Sequence, residues 1–292
     1  MDLIDLHTHT TASDGSLTPA ELVAAARSVG LKAVAITDHD TVAGLEEALA
    51  AGRRLGQRVV PGVEISLEGL GGQGMPASMH LLGLFVDHRE PGLIAGLGRL
   101  QAARAERNPK IAEKLGELGI AISLDEVRAY AGGDLVGRPH FAQALVARGV
   151  VKNRGEAFAR FLAAGKPAYV SKWRFPPAEG IAMLKRAGAV TVLAHPGLFK
   201  LGLAALEPLL LRLVEAGLDG VEAHYSEHDP ALSRALARLA ARLGLAVSGG
   251  SDFHGAPKPD IALGVGRGGL RVPASLLADL ERRRAPAAAP PR

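Results

Sequence analysis

The sequence predicts an α/β fold, and three observations carry that prediction. Short apolar runs alternate with helix-length amphipathic segments over residues 1–88 and again over 176–284, which indicates a parallel sheet with crossover helices. Histidine, aspartate and glutamate recur where those runs end, the place where ligands gather in such sheets. Between the two halves, residues 89–175 change texture, and helical periodicity there predicts a mostly helical insertion.

The elements follow in order. Leu3 to Leu6 is a buried strand that ends in His7 and His9, and side chains one residue apart on a strand share a face. Thr18-Pro19 starts a helix, with threonine as cap and proline in the first turn, and Gly30 ends it after Val29. Lys32 to Thr37 is a strand delivering Asp38-His39-Asp40, and Thr41 caps a helix to Leu55. Arg58 to Val63 is a strand delivering Glu64. A Gly-rich loop over 69–74 precedes a strand from Met79 to Val86, with His80 at its start.

In the insertion the periodicity predicts helices over 92–116, 124–131, 139–148 and 154–163, with a kink or break at Asn108-Pro109 and a strand over 168–171. The alternation then resumes. A helix over 177–187 leads to a strand, 190–194, delivering His195-Pro196. A helix over 203–216 leads to a strand, 220–223, delivering His224, with His228 beyond. Asp229 caps a helix to Leu243; Ala246 to Ser248 is a strand delivering Ser251-Asp252-Phe253-His254; Val272-Pro273 opens a last helix. Residues 285–292 are rich in alanine and proline and are expected to be disordered.

Composition narrows the chemistry. The 292 residues contain no cysteine, which excludes disulfides and thiolate ligands and leaves histidine and carboxylates to hold any metal. Such donors suit Mn, Zn, Fe or Mg. No signal peptide or membrane-length apolar run is visible, so a cytoplasmic protein without membrane contact or an obligate protein partner is expected. Net charge is +4, unevenly placed: residues 101–186 hold fifteen Lys and Arg against eight Asp and Glu (+7), leaving nineteen against twenty-two (−3) elsewhere. A basic insertion over a carboxylate-rich site suits an anionic substrate.

His7, His9, His39, His80, His195 and His254 all fall at predicted strand mouths, beside Asp14, Glu64 and Asp252. Nine such donors exceed the needs of one ion and would serve three that share bridging carboxylates. The ordered series His7-Thr8-His9, Asp14, Thr37-Asp38-His39-Asp40, Gly62-Val63-Glu64, His80, Ala194-His195-Pro196 and Ser251-Asp252-Phe253-His254 resembles the PHP (polymerase and histidinol phosphatase) family. The resemblance implies a distorted (β/α)7 barrel and a divalent-metal phosphoesterase, most simply manganese-dependent. It implies one ion on His7, His9, Glu64 and Asp252, a second on Asp14, His39 and His254, and a third on Glu64, His80 and His195.

Within that family the insertion is similar to a subgroup that removes the 3′-phosphate of 3′,5′-nucleoside bisphosphates or trims short RNA from its 5′ end. This rests on Arg104-Ala105-Glu106-Arg107-Asn108, Gly137-Arg138-Pro139-His140 and Gly165-Lys166-Pro167-Ala168-Tyr169-Val170. Arg104 and Arg107 are three apart on a helix and share a face, and Arg138 starts another helix, so with Asn108 they are candidate phosphate contacts. Asp14, His195 and Asp40 are the candidate catalytic residues. Asp40 would reach the leaving ribose hydroxyl or a water, unless it is only a helix-start carboxylate, and His228 is a further substrate candidate. The expected reaction is in-line attack on phosphorus by a metal-activated hydroxide. The alternatives are a histidinol-phosphate phosphatase and a non-catalytic metal-stabilised nucleic-acid-binding module.

Overall fold

Seven strands, β1 to β7, lie side by side in their sequence order, and the helices that connect them coat the outside of the sheet. The computed structural model describes residues 2–71 and 75–284. The expected tail at 285–292, and positions 72–74 of the Gly-rich loop, lie outside the described residues.

The first three strands are β1 (Ile4–Asp5), β2 (Ala33–Ile36) and β3 (Arg58–Glu68), all parallel. Their crossovers are α1 (Pro19–Ser28) and α2 (Leu45–Leu55). α1 opens on a reciprocal cap, with Thr18 Oγ1 accepting from Glu21 N (3.2 Å) and Glu21 Oε2 accepting from Thr18 N (2.8 Å). Thr41 does not cap α2, which begins only at Leu45. Pairing continues beyond β2, with a His39–Glu64 bridge and Asp40 N donating to Glu64 O at 2.8 Å, so the chain is still held to β3 just before the expected cap and the helix starts later.

β3 was expected to end at Val63, yet it runs to Glu68 and places Glu64 in mid-strand. The cause is β4 (Ser78–Leu84), which folds back antiparallel along it with Glu64 opposite Leu82 and Ser66 opposite His80. β4 is also antiparallel to β5 (Val190–Leu193) and is thus the reversed strand of an otherwise parallel sheet. That reversal puts the start of β4, and His80, on the rim formed by the carboxyl ends of its neighbours.

α3 (Pro91–Glu117) is one 27-residue helix and is not broken at Pro109. Proline there forfeits one backbone hydrogen bond, but packing holds both halves. Leu93, Leu97 and Leu100 sit in the core between sheet and helices, while Ile111 and Leu115 sit in a separate apolar cluster with Val127, Phe141 and Leu145. That second cluster gathers α4 (Leu124–Arg128), α5 (Arg138–Ala147), α6 (Arg154–Ala157) and a π-helical turn, Phe158–Leu162. The strand expected over 168–171 does not form. Ala168 lies in a turn, and the segment meets β3 only at Phe175, opposite Leu67, beyond Glu64 where pairing on the β2 side of β3 stops.

The remaining helices are α7 (Pro177–Arg186), α8 (Leu203–Glu215), α9 (Pro230–Arg242) and α10 (Ser275–Arg282), interleaved with β5, β6 (Gly220–Tyr225) and β7 (Ala246–Gly250). The segments after β7 and β1 then pair and nearly close the barrel. Leu6 N donates to Gly249 O (3.1 Å), Asp252 N to His7 O (2.8 Å) and His9 N to Phe253 O (2.9 Å). Gly250 permits this: a side-chain carbon there would lie 2.4 Å from His7 N. No helix among the described residues is long and apolar enough to cross a membrane.

Candidate metal centre and anion cradle

Strand ends, the loop after β1 that carries Asp14 and the middle of β3 that carries Glu64 bring His7, His9, Asp14, His39, Glu64, His80, His195, Asp252 and His254 to one rim of the barrel. Glu64 is the hub. Its Oε2 lies 3.4 Å from His7 Nε2, 3.2 Å from His9 Nε2 and 2.8 Å from His39 Nδ1. Its Oε1 lies 2.9 Å from His80 Nδ1 and 3.0 Å from His195 Nε2. Asp252 Oδ1 approaches His9 Nε2 at 3.2 Å, and Asp14 Oδ1 approaches His254 Nε2 at 3.2 Å.

Buried acids behind these groups aim them. Glu222 accepts from His7 Nδ1 (3.0 Å) and from the His195 backbone N–H (2.7 Å), which leaves His7 Nε2 facing the cluster. Asp38 accepts from Thr10 N (2.8 Å), Thr10 Oγ1 (2.7 Å) and Ser13 Oγ (2.5 Å), fixing the loop between His9 and Asp14. His195 and Asp252 have positive φ values of 32° and 57°, and Asp40 one of 52°, so three of the five such non-glycine residues among the described residues are candidate site residues.

The donors fit divalent cations. His7 Nε2, both His9 ring nitrogens, His39 Nδ1, His195 Nδ1 and Glu64 Oε2 are buried without a hydrogen-bond partner among the described residues. A buried polar atom left unpaired is costly, and nitrogens and oxygens left so in clusters are what bound cations would satisfy. Three groups have ligand atoms within 4.8 Å of one another: His9, Asp14, His39 and His254; His7, His9 and Asp252; His39, Glu64 and His80. Burial pushes His80 down to about 4 against the pull of Glu64, and burial with Lys258 pushes His254 down to about 4. Burial also opposes charge on His9, but the neighbouring carboxylates of Asp252 and Glu64 carry it up to about 9. Some imidazoles therefore already present lone pairs at neutral pH, and others would shed a proton as a cation enters.

Beside this rim lies a cradle of buried cations. Arg104 donates from Nε (2.8 Å) and Nη2 (2.6 Å) to Asp40 Oδ2, and Lys172 Nζ lies 3.2 Å from the same oxygen. Asp40 also accepts from Ser66 N at 2.8 Å. Arg107, Arg138 and Arg174 crowd the same space, and none of them has a carboxylate partner among the described residues. Burial and then Arg104, Arg138 and Arg174 press on the charge of Arg107, whose Nε is buried and unpaired among the described residues. A guanidinium does not deprotonate in a protein, so this pressure registers as a demand for an anion. Arg107 Nη2 donates to Asn108 Oδ1 (2.9 Å), Asn108 Nδ2 to Val136 O (2.9 Å), and Arg138 Nη1 to Leu162 O (3.1 Å). His228 stands apart from the cradle: Nε2 accepts from Gly197 N (3.0 Å) and Nδ1 faces Ala223 O (3.0 Å).

The PHP domain matches residues 5–116. A 3′,5′-nucleoside bisphosphate phosphatase from Chromobacterium violaceum is 38% identical over 86% of this chain and 87% of its own length. The chain belongs to the PHP family. A 5′-3′ exoribonuclease from Haemophilus influenzae is 38% identical over 86% of the chain and 89% of its own length. A solved metal-dependent phosphoesterase from Bifidobacterium adolescentis superposes with a TM-score of 0.85 at 34% identity, covering 98% of both chains. This PHP chain is accordingly a metal-dependent phosphoester hydrolase.

Several residues that shape its centre were not singled out in the sequence. Lys172 and Arg174 alternate on an extended segment and so share a side, a pattern the sequence does carry. Glu222 is a lone charge within an apolar strand, which is also a readable signal. Lys258, whose Nζ lies 2.6 Å from Asp252 Oδ2, sits in a loop with no local signature.

Lys172 yields a test. Burial, with Arg104 and Arg174 adding, pushes its ammonium from 10.5 to about 7 against the pull of Asp40. Between those values the unfolded chain holds a proton that the folded chain lacks, so this group makes stability rise with pH. In chelator, the melting temperature of the wild type minus that of Lys172→Met should therefore increase from pH 7 to pH 10. A flat or falling difference counts against the assignment.

Proposed function

We propose that this PHP enzyme removes the 3′-phosphate of 3′,5′-nucleoside bisphosphates and, by breaking the same bond, trims short 5′-phosphorylated RNA. The observation that carries the reading is the cradle next to the metal centre: Arg104 and Lys172 share one buried carboxylate, Asp40, while Arg107, Arg138 and Arg174 stand close by with no carboxylate contact among the described residues. A substrate with one phosphate on the metals and a second, non-reacting phosphate on the arginines satisfies both halves. The names of two relatives support the substrate class, since one is named for bisphosphates and another for RNA.

In this reading His7, His9, Asp14, His39, Glu64, His80, His195, Asp252 and His254 hold three ions, with manganese the expected metal. Bound there, divalent ions lower the pKa of water and offset charge on the phosphoryl oxygens. The protein's own side chains do the positioning. Arg107 and Arg138 hold the 5′-phosphate, Asn108 fixes Arg107, and Asp40 fixes Arg104 and Lys172. With its carboxylate so engaged, Asp40 orients the cradle in preference to meeting the leaving hydroxyl. His228 acts by holding Gly197 after His195.

The test is a side-by-side assay of manganese-loaded protein on adenosine 3′,5′-bisphosphate and a 5′-phosphorylated RNA trimer. Free phosphate from the first and 5′-mononucleotides from the second are expected. Silence on both, with turnover of histidinol phosphate, would overturn the reading.

A further inference from the structure

A second cavity, of about 300 Å³, opens on the Asp14 side of the metal centre, whereas the cradle lies on the Asp40 side. Its floor is the loop from Asp14 to Ser16, and its walls include Tyr130, His140, Gln143 and Arg154. Tyr130 is 38% exposed. Arg154 is half-buried and donates Nη1 to Pro257 O (2.7 Å). Burial disfavours its charge while Asp14 and Asp252 favour it, which places it within electrostatic reach of the metal ligands. Apart from Asp14, no residue assigned above to the metals or to either phosphate lines this cavity.

The chemistry of the proposed reaction says what should fill it. In both substrates water adds its oxygen to phosphorus, the bond from phosphorus to O3′ breaks, and O3′ takes the proton. A bisphosphate carries nothing further on the reacting phosphorus and releases free phosphate. RNA carries the O5′ of the next nucleoside there, and that phosphate stays on the shortened chain as its new 5′-phosphate. The next nucleoside must therefore sit beside the metal centre, and this cavity, lined by Asp14, borders that centre.

We propose that the Tyr130–Gln143–Arg154 cavity binds the nucleoside downstream of the cleaved bond and so admits RNA as well as bisphosphates. Its volume is at the small end of ligand pockets, roughly 300–1,000 Å³, and suits one nucleoside. The Tyr130 ring offers a stacking face tolerant of any base. The Gln143 amide offers a donor and an acceptor, and the free N–H groups of Arg154 point a cation at the following phosphodiester. Each shortened product would carry its 5′-phosphate back to the cradle for another round.

The inference rests on the proposed function, and one experiment separates the two. Arg154→Gln and Gln143→Trp are compared with wild type, manganese-loaded, on the RNA trimer and on adenosine 3′,5′-bisphosphate. Gln143→Trp fills the cavity while keeping the Arg154–Pro257 contact, which guards against a folding defect in the other variant. The ratio of kcat/KM for trimer over bisphosphate should fall about 10-fold or more in each, mainly through a higher KM for the trimer. An unchanged ratio in both variants overturns the cavity assignment, as does a wild type that cleaves the bisphosphate and leaves the trimer intact. A wild type inert on both overturns the proposed function instead.

Discussion

Glu64→Gln should lose about 10³-fold or more of phosphate release and at least one equivalent of bound metal. The substitution keeps the volume and the mid-strand position but removes the charge. One carboxylate here approaches five imidazoles, those of His7, His9, His39, His80 and His195, at 2.8 to 3.4 Å. No other acid in the described residues has that reach: Asp252 approaches His7, His9 and His254, and Asp14 approaches His9 and His254. Metal content by mass spectrometry and kcat on adenosine 3′,5′-bisphosphate are the two readouts. Full metal occupancy with activity within about 10-fold of wild type would remove Glu64 from its place as the hub.

The rim of donors was legible because alternation places residues. His7 and His9 share a face of one strand end, and His39, His195 and His254 each follow a buried apolar run, so their convergence could be read without coordinates. Glu64 was identified, but its setting was not. An antiparallel return is a property of pairing, and residues 58–63 alone carry no trace of the β4 strand that extends them. The same holds for Thr41, whose capping chemistry is sound locally but is overridden by β2–β3 pairing that continues through His39 and Asp40. Pro109 was read as a breaker, yet apolar anchors on both sides of it keep α3 whole.

The cradle was half legible for a related reason. Arg104 and Arg107 lie on one helix and announce themselves by spacing. Lys172 and Arg174 arrive more than 60 residues later, just past the strand expected over 168–171, and only the fold sets Lys172 against Asp40. Asp40 itself could be read two ways from sequence, and the structure adds a third. It ties α3 and the 172–174 segment to the barrel through Arg104, Lys172, Ser66 and a Gln101 bond to its backbone oxygen (2.9 Å).

That tie sets up the second large effect, in Asp40→Asn. Asparagine accepts the left-handed backbone at φ 52° and can still accept from Ser66 N, so the substitution isolates the charge. The carboxylate is fully buried and held well below the usual range: burial opposes its charge, and Arg104 and Lys172 overcome that opposition. Removing it leaves a buried group of cations with no acid among them. Breaking a buried pair in this way typically costs about 3–5 kcal/mol, which in a chain of this size is a fall of about 10 °C in Tm. Inorganic phosphate should then give back part of the loss, because the surplus positive charge that destabilises the variant also binds the anion. Measured in chelator, to keep metals out of the comparison, phosphate should raise the Tm of Asp40→Asn by more than it raises that of wild type. Equal shifts in the two proteins would mean that Asp40 and the anion do not compete for the same cations, and the cradle would lose its claim on the non-reacting phosphate.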